Sequence, residues 1–172
     1  MLALGLAARI PAAGTDAFLV ADFGAKGDGR QDDAPAFLKA VEKARSLGSG
    51  ARIFIPKGRY IFDSTVEGRH LPLIGLTNLL IEGEAGTLLV MKHQGPGIYV
   101  EHSRNLHIKN LAFDCDPLPF TQGTIVAVDH SQETFEMSVQ EGYPDPAGPI
   151  FQRAGTLRGL VREAGTGLID LN

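Results

Sequence analysis

The sequence has no tryptophan and a single cysteine, and it carries more acidic than basic residues. Because Cys115 is alone, no disulfide can form within the chain, and the fold cannot depend on one. Sixteen Lys and Arg against 20 Asp and Glu give a net charge of -4, which excludes the basic surface that nucleic acids require. No apolar run is long enough to cross a membrane. We therefore expect neither nucleic acid nor a membrane as partner.

Glycine and proline are abundant instead, with 21 and 10 residues among 172. Together with 44% hydrophobic residues, this composition favours one domain of short strands joined by turns. Residues 1–17 are predicted to be a leader or partial signal segment, because the apolar stretch 1–8 precedes small residues but lacks a positive charge. A disordered leader and a first edge strand are the alternatives. The expected location is secreted or periplasmic.

One helix is predicted, at about 33–47. Its apolar residues follow the i, i+3, i+4, i+7 spacing of a buried helical face: Ala34, Phe37, Leu38, Val41 and Ala44. Asp32 or Asp33 is the expected N-cap, and the glycines near residue 48 end the helix. Residues 18–23 predict a first strand, and the glycines that follow predict a turn.

A repeat follows the helix. Asn78-Leu-Leu-Ile-Glu-Gly83 and Asn105-Leu-His-Ile-Lys-Asn110 share one pattern and begin 27 residues apart (105 − 78). Ile55 lies 26 residues before Ile81 (81 − 55), and each unit carries a second short apolar segment. Such a period built from short strands predicts a solenoid in which each coil packs only on its neighbours. The two asparagines are expected to adopt left-handed backbone conformations. A β-sandwich with accidental similarity is the alternative.

The C-terminal third has a different pattern. Alternating apolar and polar residues at about 124–140 predict a β-hairpin inserted into the solenoid. The solenoid domain is thus assigned to 18–149, and 150–172 is an uncertain tail, expected to be truncated.

The opening block resembles the N-terminal signature of the pectate-lyase-like right-handed parallel β-helix superfamily, which includes family 28 polygalacturonases, rhamnogalacturonases, epimerases and phage tailspike enzymes. The residues that carry it are Asp22-Phe-Gly-Ala-Lys-Gly-Asp-Gly29, Asp32-Asp33, Phe37 and Ile55-Pro-Lys-Gly-Arg-Tyr60. Residues 86–124 also resemble the family 110 α-galactosidases. The resemblance implies an all-β fold, namely the N-terminal rungs of a right-handed parallel β-helix, with one capping α-helix and the inserted hairpin.

The chain departs from family 28 in its motifs. That family carries Asn-Thr-Asp, Gly-His-Gly and Arg-Ile-Lys on later rungs, and all three are absent here. The single Asp-Asp pair, Asp32-Asp33, lies at the predicted helix cap. We therefore expect the chain to be the N-terminal part of a longer protein, ending before the catalytic rungs.

Asp114 and Asp116 are the candidate catalytic residues. They alternate with Phe113 and Cys115, so both carboxylates are predicted to face outward from one strand. Two strand residues span roughly 6.5–7 Å, near the lower end of the separation in inverting glycosidases. Pro117 follows at once, so a strand end in a solvated turn is the alternative.

His107 and Gln122 are the candidate substrate-binding residues, since both can bond sugar hydroxyls. A surface histidine and a turn residue are the alternatives. No histidine pair has metal-ligand spacing, so no metal and no cofactor are expected.

The resemblance implies a glycoside hydrolase that acts on a galacturonide- or galactoside-containing polysaccharide by carboxylate acid/base catalysis. A polysaccharide lyase or epimerase on the same scaffold is one alternative. A non-catalytic carbohydrate-binding or structural β-helix is the other. Self-association through an exposed last rung is also expected.

Overall fold

The computed structural model describes residues 16–48, 50–152 and 158–162. Most of the predicted leader 1–17 and most of the predicted tail 150–172 lie outside the described residues. The chain divides into two compact units, the first ending at Asp116 and the second beginning at Pro117. No helix among the described residues has the length and apolar character needed to cross a lipid bilayer.

The first unit is built from three parallel sheets. The first sheet has the order β1 (Ala17–Leu19), β3 (Arg52–Ile55), β6 (Thr77–Gly83) and β9 (Arg104–Lys109). The second contains β2 (Asp28–Asp32), β4 (Arg59–Phe62), β7 (Leu88–Met91) and β10 (Ala112–Cys115), and the third pairs β5 (Leu71–Ile74) with β8 (Ile98–Glu101). Because the chain visits the sheets in turn and returns one strand higher, these strands form a parallel β-helix, as predicted.

Like residues stack directly above one another inside the coils. Ile53, Ile81 and Ile108 occupy matching positions in β3, β6 and β9, 28 (81 − 53) and 27 (108 − 81) residues apart. The sequence alignment of Ile55 with Ile81 was therefore wrong by two residues, since Ile55 pairs with Gly83. Strands β5 and β8, the third strands of the two later coils, were not predicted. Each has only four residues, and proline or tyrosine interrupts its apolar sequence.

Helix α1 (Ala34–Ser46) takes the place that a third strand would occupy in the first coil, between β2 and β3. Phe37 packs edge-on against Tyr60 and Phe62, with ring centroids 5.3 and 4.9 Å apart. Arg45 donates a hydrogen bond of 3.1 Å from Nη2 to the carbonyl of Ile74 in β5. The helix thus packs on the first strand of the third sheet, as expected of a cap.

The N-terminal segment differs from the prediction in detail. The strand expected at 18–23 is only β1, and a 3₁₀ helix (Val20–Phe23) follows it. The region predicted as a turn contains β2, whose pairing with β4 is irregular between Asp28 and Asp32. Gly29 adopts a φ of 74° within this strand, so glycine permits the irregularity rather than ending the strand.

The second unit contains the predicted hairpin. Strands β11 (Gly123–Asp129) and β12 (Thr134–Val139) are antiparallel, and a short helix α2 (Pro149–Gln152) follows. The Asp129 carboxylate accepts hydrogen bonds from Ser131 and Gln132, which lowers the pKa of Asp129 and closes the turn. Phe135 and Val128 face each other across the pair, yet both remain exposed.

Candidate functional site at the end of the second sheet

Charged side chains follow the strands of the second sheet at one common position. Asp63, Lys92 and Asp116 come directly after β4, β7 and β10, whose last residues are paired in register. The Lys92 amide bonds to the Phe62 carbonyl at 2.9 Å, and the Asp116 amide bonds to the Met91 carbonyl at 3.0 Å. Three successive coils therefore place a charge at the same corner. We call Asp63, Lys92, His93 and Asp116 the sheet-two corner.

An ion pair and a histidine–carboxylate contact join the coils at this corner. Asp63 Oδ1 lies 3.0 Å from His93 Nε2, and Lys92 Nζ lies 3.0 Å from Asp116 Oδ2. The side chains of Asp63, His93 and Asp116 are 57–59% exposed, so a ligand can reach them from solvent. Carboxylate, imidazole and ammonium groups thus lie within one exposed cluster, and such groups transfer protons and bind hydroxyl or anionic groups.

Asp32 fixes the backbone on which this corner is built. Its carboxylate accepts hydrogen bonds from the amides of Asp63 and Ser64, both at 3.1 Å, and from the Ser64 hydroxyl. Burial raises the pKa of Asp32, but the bonds from Ser64, Asp63 and Ala34 outweigh it and lower the pKa overall. The aspartate expected only to cap a helix therefore also ties β2 to the end of β4.

Asp114 and Asp116 lie together at the end of β10. Phe113, Asp114 and Cys115 pair with the buried residues Leu89, Val90 and Met91, and Asp114 is itself exposed, with its Oδ1 accepting a hydrogen bond from the Cys115 amide at 2.8 Å. The structure therefore places both predicted catalytic carboxylates at the surface. Their catalytic role stays a prediction.

His107 and Gln122 lie elsewhere. His107 is on β9 in the first sheet, where its Nε2 lies 3.0 Å from Asn105 Oδ1, and Asn105 in turn bonds Asn78 at 2.6 Å. Gln122 is in the second unit and donates to Gln140 Oε1 at 2.7 Å across the base of the hairpin. Neither residue joins the sheet-two corner through a described contact. Their substrate-binding roles stay predictions.

Lys92, His93 and Asp63 are the corner residues that the sequence interpretation did not select. No partner for His93 is visible in the sequence, because Asp63 lies 30 residues before it (93 − 63). The sequence does contain a signal for this corner, because Asp63, Lys92 and Asp116 each directly follow a short apolar segment. Among the described residues, no group of three or more His, Cys, Asp or Glu is arranged to hold a metal ion.

A family comparison agrees with this architecture. Residues 17–133 match the sequence profile of the family described as rhamnogalacturonase A/epimerase, pectate lyase-like. The chain belongs to this pectate-lyase-like family.

Individual relatives show short, clear similarities. Alginate lyase 7 of Azotobacter vinelandii is 39% identical over 64 residues, 37% of this chain and 7% of that protein. Polygalacturonase ADPG1 of Arabidopsis thaliana is 49% identical over 47 residues, 27% of this chain and 11% of that protein. Depolymerase 1, capsule KN3-specific, of Klebsiella phage KN3-1 is 39% identical over 75 residues, 42% of this chain and 9% of that protein. The matches thus span about a tenth of each relative's length.

Proposed function

We propose that this chain is the N-terminal part of a carbohydrate-active β-helix protein. The activity proposed for that protein is a glycoside hydrolase that cleaves a galacturonide- or galactoside-containing polysaccharide. The observation that carries the proposal is the pair of exposed carboxylates, Asp114 and Asp116, at the end of β10. Membership of a pectate-lyase-like family and similarity to a protein named polygalacturonase support it.

In the proposed mechanism, one carboxyl group protonates the leaving oxygen and the other activates water. Asp114 lies in β10 and Asp116 directly follows its last residue, and the proposed reaction is attack by water with inversion at the anomeric carbon. Lys92 holds Asp116 by its ion pair and so fixes the direction of this carboxylate. His107 on β9 and Gln122 in the second unit are each proposed to bond sugar hydroxyls outside the sheet-two corner, and the mechanism needs no organic cofactor.

The test uses the full-length product of the gene that encodes this chain, with polygalacturonate, pectin and galactosides as substrates. Release of reducing ends is expected, and Asp114→Asn or Asp116→Asn should lower kcat about 100-fold or more, because each removes an acid/base group. Asp145→Asn in the second unit is the control and should retain activity. No turnover on any of the substrates, or full activity in both variants, would contradict the proposal.

The 172-residue chain by itself is proposed to bind oligosaccharide without appreciable turnover. Reducing ends released by the purified chain would show that the described coils already hold a complete catalytic set.

A lyase or epimerase on the same scaffold is the second candidate, favoured by the similarity to a protein named alginate lyase. A lyase forms an unsaturated sugar that absorbs ultraviolet light, whereas the product of a hydrolase does not. The ultraviolet absorbance of the products therefore separates a lyase from a hydrolase. A non-catalytic carbohydrate-binding β-helix would bind the same oligosaccharides and yield neither product.

We further propose a secreted or periplasmic location, where polysaccharides are accessible. Self-association through the last coil is proposed as well, because β9 and β10 end their sheets within the described residues.

A further inference from the structure

We infer that His93 is a further acid/base residue of the sheet-two corner and that Asp63 is its positioning residue. This inference rests on the proposed function, since it assigns a proton-transfer step to the same site. It adds an imidazole to a site for which only carboxylates were proposed, and its ligand is the sugar ring that the proposed function binds at Asp114 and Asp116.

The geometry of the His93–Asp63 pair defines which ring nitrogen of His93 can accept a proton. His93 Nε2 lies 3.0 Å from Asp63 Oδ1, so this nitrogen carries the hydrogen and donates it to the carboxylate. Nδ1 is then the unprotonated nitrogen of the neutral ring. A base held through its other nitrogen by a carboxylate has both its tautomer and its ring orientation fixed.

Asp63 is itself held in place. Its amide bonds to Asp32 Oδ1, and the amide and hydroxyl of Ser64 bond to Asp32 Oδ2. A continuous chain of contacts therefore runs from Asp32 through Asp63 to His93. Lys92, the residue before His93, holds Asp116 at 3.0 Å, so the imidazole and this carboxylate are tied to adjacent positions of one strand end.

The other histidines lack this arrangement. His102 lies 3.8 Å from Glu101, beyond hydrogen-bond distance, and His107 contacts an amide oxygen of Asn105. His70 is buried and faces the Pro96 carbonyl at 3.3 Å. Of the histidines in the described residues, His93 alone combines exposure with a carboxylate at hydrogen-bond distance.

In the step that we assign to His93, one carboxylate of the Asp114–Asp116 pair takes a proton from a water molecule and passes it to Nδ1. The water oxygen forms a bond to the anomeric carbon while the bond from that carbon to the leaving oxygen breaks. The other carboxyl group of the pair gives its proton to the leaving oxygen. The imidazolium then returns its proton to solvent, and the carboxylate takes one up, so the site is restored without any oxidant or reductant.

The first test replaces the imidazole in the full-length gene product. His93→Ala should lower kcat by about 100-fold with little change in KM, and added imidazole should restore part of the activity. His102→Ala, which removes an exposed histidine from the neighbouring turn, is the matched control and should leave kcat unchanged. A structural role for His93 would give no rescue by imidazole.

The second test addresses Asp63. Asp63→Asn should lower kcat about tenfold, since the ring loses its anionic partner, and Asp63→Glu should recover part of this loss. If Asp114 and Asp116 variants lose turnover but His93 and Asp63 variants do not, the inference is wrong and the proposed function stands. If no turnover is found, or if none of the four residues matters, both are wrong.

Discussion

At the scale of single residues, Asp32 and Asp33 are neighbours with different tasks. Asp33 is fully buried, and its carboxylate accepts the amides of Lys26 at 2.8 Å and Gly27 at 3.2 Å. Burial raises the pKa of Asp33, and the two backbone bonds oppose this effect. Asp33 occupies the N-cap position of α1 without a side-chain cap bond, so it holds the glycine turn instead. The predicted N-cap position is therefore confirmed for Asp33, but its side chain bonds the glycine turn and not the helix.

We predict that Asp33→Asn destabilises the chain by about 1–3 kcal/mol, because an amide presents only one acceptor oxygen to the two backbone donors that the buried carboxylate now binds. Urea unfolding followed by circular dichroism measures the change. Asp16→Asn, an exposed substitution next to β1, is the control and should stay within about 0.5 kcal/mol. Equal stability of Asp33→Asn and the parent chain would show that the turn does not depend on the carboxylate.

Glu82 gives a pH-dependent prediction. A hydrogen bond from Lys109 and a second from Arg52 lower the pKa of this carboxylate, which bridges three coils of the first sheet. A lowered pKa in the folded state adds stability above the unfolded-state pKa, and this stability is lost as pH falls. Glu82→Gln should therefore cost about 1 kcal/mol at pH 7 and less at pH 3, where part of the ion-pair stabilisation is lost.

Denaturant unfolding of both proteins at several pH values measures this difference. Glu136→Gln on the hairpin removes a carboxylate outside the first sheet and is the control for the loss of one negative charge. A Glu82→Gln cost that is the same at pH 7 and pH 3 would contradict the ion-pair explanation.

At the scale of elements, helix α1 closes the first coil through one aromatic residue. Phe37 is 2% exposed and contacts the rings of Tyr60 and Phe62, which project from β4 into the core. Burial and the nearby Asp33 charge raise the pKa of Tyr60 to about 12, so the ring stays neutral and its hydroxyl donates to the Pro56 carbonyl at 2.8 Å.

We predict that Phe37→Ala lowers the free energy of unfolding by about 3–5 kcal/mol, because it opens a cavity between helix and coil. Leu38→Ala, one position along and only partly buried, should cost less. Thermal or urea unfolding measures both. If both substitutions cost the same, the helix is not anchored through this aromatic cluster.

At the scale of the whole molecule, the stacking columns end at the last described coil. Ile81 and Leu89 are 2% and 0% exposed, but Ile108 and Phe113, the next residues in their columns, are 36% and 50% exposed. The side chains suited to a core thus meet solvent, and terminal coils without cover are prone to association.

We predict that the 172-residue chain associates at high concentration and that Ile108→Lys reduces this association. Light scattering after size-exclusion chromatography over a range of concentrations measures it. Val126→Lys, which changes an exposed apolar residue on the hairpin, is the control for general solubility. A monomer at every concentration would contradict end-to-end association.

The sequence by itself determined the coil, its cap and the hairpin. The spacing of Asn78 and Asn105 revealed the repeat, and both residues have the predicted left-handed conformation, with φ of 54°. Such features are local or periodic, so they are visible along one chain. The register of Ile53 with Ile81, the third strand of each coil and the pairing of Asp63 with His93 were decided only by the tertiary structure. Those contacts join residues about 30 positions apart in the sequence. Which residues meet depends on how loops of unequal length bring successive strands into hydrogen-bonded register.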